Sequence, residues 1–253
     1  MPTDSRIALV TGGSRGLGRN TVLALAERGV RSLFTYHSNR DAADKVVTAT
    51  REAGAEGVAL QLDTGDVAAF PDFADRVRGA LADLGAEHLD ALVNNAGTGY
   101  HASVEETTEE AFDHLYRVHL KGVFFLTQAL LPLMADGGRI VNLSSGLARF
   151  SFPGSSAYAS MKGAVEVLTR YQARELASRG ITANVVAPGA IETDFSGGMV
   201  RDNPEVNQQV AAATALGRAG VPDDVGPMIA SLLDDANRWV TGQRIEVSGG
   251  MLL

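Results

Sequence analysis

The 253-residue chain contains no cysteine. That excludes a disulfide framework and a thiolate zinc site. Its five histidines, at 37, 88, 101, 114 and 119, show no HExxH-type spacing. A metal site would have to be assembled by the fold, and none is expected. No apolar run approaches the roughly 20 residues of a membrane span. Met1-Pro2-Thr3-Asp4-Ser5-Arg6 runs straight into an apolar stretch without a signal-peptide core, so a soluble, cytoplasmic protein is expected. Basic residues are also scarce, 22 Lys and Arg against 30 Asp and Glu, and the net charge is -8. This argues against nucleic acid or an anionic membrane as the main partner. Aromatic residues make up only 6% of the chain.

What is present is a 45% hydrophobic composition with 28 glycines, which fits one large α/β domain over residues 1–253. Ile7-Ala8-Leu9-Val10 reads as a strand buried on both faces, stopped at Thr11-Gly12-Gly13. A helix follows from about Gly16 to Arg28, closed by Gly29. Strands are expected over 31–36, 57–62 and 89–94, with helices over 41–53 and, capped by Asp66, over 67–84. This alternation is the sequence form of a parallel sheet covered by helices on both faces. Thr108 with Glu109 and Glu110 starts a further helix, and apolar residues near helical spacing carry it to Met134. A strand over 139–143, a long helix over 156–178, a strand over 181–187, a helix over 222–233 and a last strand over 243–247 complete about seven strands. From about 190 to 220 the pattern degrades into a flexible segment with short helices. No repeat, linker or low-complexity tract marks a domain boundary.

Two features carry chemistry. Tyr158 and Lys162, at i and i+4, share one helix face. Tyrosine titrates near ~10, and a nearby ammonium favours the phenolate, so the pair suits proton transfer. The plainer alternative is a half-buried tyrosine beside a solvated lysine. Thr11-Gly12-Gly13-Ser14-Arg15-Gly16-Leu17-Gly18 lies between a strand and a helix. There glycines admit a pyrophosphate, and the helix start offers free N–H groups and partial positive charge. A simple tight turn is the alternative.

TGxxxGxG at 11–18, NNAG at 94–97, Ser145 thirteen residues before Tyr158, YxxxK at 158–162 and Pro188-Gly189 together resemble the short-chain dehydrogenase/reductase family, in particular its 3-oxoacyl-(acyl-carrier-protein) reductase-like members. The resemblance runs from Ile7 to about Gly250 and implies a single-domain, Rossmann-type doubly wound parallel sheet with a substrate loop at about 190–220. It implies Tyr158 as the general acid in carbonyl reduction, or the base in the reverse direction. Lys162 would lower the Tyr158 pKa and bind the nicotinamide ribose, and Ser145 would donate to the substrate oxygen. Ser144 competes for that last role. Pro188, Gly189, Ile191 and Thr193 would line the carboxamide, Asp63 and Thr64 would contact the adenine, and Asn95, Ala96 and Gly97 would pass the adenosine ribose. For Asn94 and Asn95, hydrogen bonding at the sheet end is a further role that can coexist.

Cofactor choice depends on the end of the second strand, where a carboxylate selects NAD and a basic residue accommodates a 2′-phosphate. Phe34-Thr35-Tyr36-His37-Ser38-Asn39-Arg40 has no acid before Asp41. Arg15 occupies a place where NADP-using family members often carry a base. NADP(H) is therefore expected over NAD(H), with Arg15, His37, Ser38, Asn39 and Arg40 near the 2′-phosphate. His119 departs from the family, standing where an asparagine supplies a backbone carbonyl to the proton relay; its imidazole, titrating near neutral pH, is expected to modify that relay. A tolerated substitution packed behind the site is the alternative. The expected activity is NADPH-dependent reduction of a ketone to a secondary alcohol, with specificity in residues 190–215 and the loops near Tyr100 and Phe150. NAD-dependent alcohol oxidation and a catalytically weak cofactor-binding regulator are the alternatives. The resemblance also implies a homotetramer.

Overall fold

The computed structural model describes residues 6–253. Met1–Ser5, where the sequence shows no signal-peptide core, lie outside the described residues. The chain runs β1 (Ile7–Val10), α1 (Gly16–Ala26), β2 (Arg31–Tyr36), α2 (Arg40–Glu52), β3 (Gly57–Gln61), α3 (Phe70–Asp83), β4 (Leu89–Asn94), α4 (Glu109–Tyr116), α5 (Gly122–Leu130) and β5 (Met134–Leu143). It continues with α6 (Ser156–Glu175), β6 (Thr182–Pro188), α7 (Met199–Asp202), α8 (Pro204–Ala212), α9 (Gly226–Leu232) and β7 (Arg244–Val247). The seven strands form one parallel sheet in the order β3-β2-β1-β4-β5-β6-β7.

Strand alternation separates the two cores. Ile7, Leu9, Leu33 and Leu92 face Phe70, Phe73, Val77, Leu81 and Leu126 of α3 and α5. Ala8, Val10, Phe34 and Val93 face Val22 and Leu25 of α1, Val46 of α2 and Ile229 of α9. With both faces covered, β1 is apolar throughout. Chain order reverses between β1 and β4, so their C-terminal ends open the crevice where ligands bind in such sheets.

Four expectations change. The helix expected from Thr108 to Met134 is capped by Thr108, whose Oγ1 accepts from the Ala111 N–H at 3.2 Å. It is then interrupted by a π-helical turn at Arg117–Lys121, and Met134 already belongs to β5. The five-residue step from Val118 to Val123 in the apolar spacing is the signal of that turn. Gly122 follows it because a Cβ there would lie 2.1 Å from the Thr64 carbonyl oxygen. Asp66 caps only a short 3-10 turn, Val67–Ala69, and α3 starts at Phe70 with Pro71 in its first turn. The long helix α6 stops at Glu175, and a 3-10 turn, Ala177–Arg179, carries the chain to left-handed Gly180. The helix expected over 222–233 opens as a 3-10 turn, Pro222–Asp224, and α9 starts only at Gly226. Within 190–220 the expected short helices are α7 and α8, braced by Arg201 against Asp194 and Asp202 and by Asn203, which caps α8. Among the described residues, no helix is long and apolar enough to cross a membrane.

Candidate active site

The glycine turn stands at the crevice. Gly12 and Gly16 have φ of 66° and 55°, a left-handed backbone that glycine adopts without strain. The Thr11 hydroxyl accepts from the Asn95 and Ala96 N–H groups, both at 2.9 Å. The Asn95 side chain donates back to the Thr11 and Gly12 carbonyls at 2.8 and 3.3 Å. Asn95 therefore clamps the turn from β4, which is the hydrogen-bonding role at the sheet end expected of it, with the glycine turn as its partner. Asn94 points the other way, donating to Thr127 Oγ1 and Asn142 Oδ1 beneath the site.

The donor set fits a dinucleotide. No side chain caps the start of α1 and no acid lies in its first turn, so its partial positive charge faces outward. A Cβ on Gly18 would fall 2.2 Å from the Gly12 carbonyl oxygen, so only glycine permits this closed cradle. Ser14 lies in this turn, Arg15 is exposed beside it, and Leu17 packs under it toward the core. Thr193 approaches from the far side of the crevice, its methyl group 3.9 Å from the place of a Gly16 Cβ. His37 and Asp63, from the ends of β2 and β3, form an exposed pair at 3.7 Å, and Arg40 lies 3.7 Å from Asp44. Ser38 is exposed between them, whereas Asn39 spends its side-chain oxygen on capping α2 at Ala42. Thr64 backs onto Gly122. Ala96 lies 3.0 Å from the place of a Gly12 Cβ, and Gly97 leaves room for the His119 ring. Pro188 is buried at the end of β6, and Gly189 lies against Ser248 of the chain beyond β7. Ile191, half-buried, packs against the core beneath α1 and α9 and bridges to Gly220.

Ser145, Tyr158 and Lys162 converge. The Ser145 side chain bears on the Tyr158 hydroxyl and favours its charged form, and its Oγ also accepts from the Leu147 N–H at 3.2 Å. Lys162 Nζ lies 5.6 Å from the Tyr158 ring centroid and donates to the Leu143 carbonyl at 2.8 Å. Ser144 is turned away, buried, and donates to Glu166 at 2.7 Å. Glu166, which the sequence reading missed, sits one helical turn beyond Lys162 and also pairs with Arg244 at 2.7 Å. Arg244 in turn reaches the Ser145 carbonyl at 3.3 Å, bracing the serine from β7.

Two electrostatic expectations are corrected. Enclosure of its hydroxyl raises the Tyr158 pKa above the ordinary 10, with the Ser145 side chain opposing it, so enclosure outweighs the lowering expected from Lys162. The same enclosure lowers Lys162 to about 8. His119 does not titrate near neutral pH. It is buried, and desolvation, then the Lys162 charge, lower it to about 3. Its ring stands edge-on to Tyr158, with centroids 5.2 Å apart and planes at 88°.

A protein-family model described as enoyl-(acyl carrier protein) reductase matches residues 12–252. The chain is 36% identical to the 3-oxoacyl-[acyl-carrier-protein] reductase FabG of Staphylococcus aureus (strain Mu50 / ATCC 700699), covering 98% of this chain and 99% of that one. Among solved structures, the promiscuous reductase LugOII, which catalyses keto-reduction at C1 during lugdunomycin biosynthesis, aligns with a TM-score of 0.94 at 39% identity over 100% of both chains. The angucycline C-6 ketoreductase LanV with bound NADP aligns with a TM-score of 0.92 at 35% identity, over 99% of this chain and 97% of that one.

Proposed function

The chain belongs to the short-chain dehydrogenase/reductase family of oxidoreductases, and from that premise we propose that it reduces a ketone to a secondary alcohol with NADPH. The observation that carries this reading is the convergence of Ser145, Tyr158 and Lys162 at the mouth of the crevice that ends in the glycine turn. When bound, the nicotinamide supplies a hydride to the carbonyl carbon. Tyr158, whose pKa is raised, stays protonated at neutral pH and gives its hydroxyl proton to the carbonyl oxygen as negative charge develops there. Ser145 donates a hydrogen bond to the same oxygen and orients it. Lys162, still largely protonated at pH 7, stabilises the phenolate left behind. A tyrosine held as the phenol favours reduction over alcohol oxidation at that pH.

NADPH is the cofactor we assign because the exposed Arg15 side chain has no hydrogen-bond or ion-pair partner among the described residues and no acid ends β2. LanV, the NADP-bound relative, supports the choice. Phe150 and Phe152 meet edge-on at 5.7 Å, Phe195 lies 6.0 Å from Tyr158, and Tyr100 and Tyr158 pack against one small cluster of Leu115, Ala157 and Met161. In a chain with 6% aromatics this gathering suits a flat aromatic ketone. Exposed Phe112 and Tyr116 on α4, Phe124 on α5 and Tyr171 on α6 give an apolar outer face that suits the proposed homotetramer, which light scattering tests. The activity is tested with a panel of ketones followed by nicotinamide absorbance. A lower KM for NADPH than for NADH is expected; preference for NADH removes the cofactor assignment, and no turnover of any ketone removes the activity.

A further inference from the structure

Residues 97–100, between β4 and α4, are held at two points. At the first, His119 Nε2 lies 2.9 Å from the Thr98 carbonyl oxygen and 3.2 Å from the Thr98 nitrogen. One ring nitrogen cannot donate to the first and accept from the second at once. The shorter contact selects the Nε2–H tautomer, donating to the carbonyl. Nδ1 is then a bare acceptor, and it has no hydrogen-bond partner. At the second point, a Cβ on Gly99 would lie 2.1 Å from Ser196 Oγ and 3.2 Å from Phe195 Cε1. This stretch therefore touches the segment before α7, whose Phe195 ring lies 6.0 Å from that of Tyr158. A single imidazole both ties down this wall and packs edge-on against the tyrosine ring.

The titratable groups that bear on the imidazole are Tyr158 and Lys162 on α6 and His114 on α4. None is an acid that would stabilise a charged ring. The ring is 1% exposed, so it stays neutral through the pH range in which reduction is measured.

We propose that His119 is a positioning residue that sets ketone affinity: by holding the Thr98 backbone it fixes residues 97–100 as one wall of the substrate entrance, and it leaves proton transfer to Tyr158. This rests on the ketoreductase reading above. It gives the histidine a task that an asparagine at the same place could not perform, because the Asn amide ends where Nδ1 stands, whereas a Gln amide reaches the place of Nε2.

The test measures kcat and KM separately for the parent enzyme, H119N and H119Q, with NADPH and a ketone, from about pH 5 to about pH 9. H119N is expected to raise the ketone KM about tenfold, the equivalent of roughly one net hydrogen bond, with kcat and the NADPH KM each changed less than about twofold. H119Q is expected to recover most of that loss, and all three pH profiles keep one shape. An unchanged ketone KM in H119N, a fall in kcat at constant KM, or loss of a pH limb between about 5 and 8 overturns the proposal. Imidazole 15N spectra of the parent enzyme give a second test that needs no variant to fold. A neutral Nε2–H ring from about pH 8 to about pH 5 supports the clamp; a Nδ1–H tautomer, or protonation between about pH 6 and pH 7, overturns it. If the parent reduces no ketone, the ketoreductase reading fails, and the spectra still decide whether His119 clamps Thr98.

Discussion

Lys162 holds its ammonium 5.6 Å from the centroid of the Tyr158 ring while donating to the Leu143 carbonyl at the end of β5. The charge is thus fixed beside the phenol by a backbone contact, and its location has a cost.

That cost is measurable. Burial lowers Lys162 from 10.5 to about 8, so between those values the folded chain binds fewer protons than the unfolded one and stability from this group rises with pH. Below about pH 8 the full penalty is present, on the order of 3 kcal/mol for a shift of this size. Lys162→Met removes the penalty and also a hydrogen bond contributing about 1 kcal/mol, so a net gain of about 1–2 kcal/mol is expected at pH 7. Turnover falls by about a hundredfold or more as the phenolate loses its cation. Urea unfolding at pH 7 and again near pH 10 checks the sign, since the gain shrinks at the higher pH.

The same lysine sets the pH dependence of reduction. Tyr158 stays protonated through the neutral range because its pKa is raised, so it contributes no limb there. Lys162 loses its proton as pH rises through about 8, and with it the charge that stabilises the phenolate. A plot of kcat/KM for ketone reduction is expected to fall along one limb near that value. A flat profile to pH 10 would separate Lys162 from the proton step.

Much of this arrangement was legible in the residues. β2 and β4 span the residues expected of them, Arg31–Tyr36 and Leu89–Asn94, because Leu33, Phe34, Leu89, Leu92 and Val93 are buried between helices on both faces. Tyr158 and Lys162 meet because one helix carries them, and Ser145 meets them because α6 packs back over the end of β5. The rest depends on distance in space. Asn95 clamps carbonyls more than eighty positions away, and no local pattern signals that. Burial reverses the expected Tyr158 shift and holds His119 neutral, and enclosure is a property of the fold.

Ser144 and Ser145 are adjacent in sequence and opposite in consequence. Ser145→Ala removes the hydroxyl that bears on Tyr158 and is expected to lower kcat by about a hundredfold, with stability changed by less than about 0.5 kcal/mol. Ser144→Ala takes a donor from partly buried Glu166 and is expected to cost about 1–3 kcal/mol of stability. Thermal unfolding and single-turnover reduction on both variants distinguish the two. Equal kinetic losses would mean that Ser144 reaches the reacting oxygen.

His119 also governs the acid limit of the fold. Its pKa is about 3 in the folded chain against an ordinary 6.5, so the unfolded chain takes up a proton that the folded one refuses. Stability from this group is complete above about pH 6.5 and is lost as pH falls toward 3. By pH 4 the loss is about 3 kcal/mol, a large share of the stability of an ordinary domain. Asp224, held at about 2 by the Arg218 guanidinium, loses its pairing only at still lower pH. His119→Gln has no proton to gain and leaves the carboxylates untouched. Its stability, measured by urea unfolding at about pH 7 and about pH 4, is therefore expected to fall less than the parent's by about 3 kcal/mol. Parallel falls in the two proteins would mean that the imidazole is already solvated, and hence charged, in the folded chain.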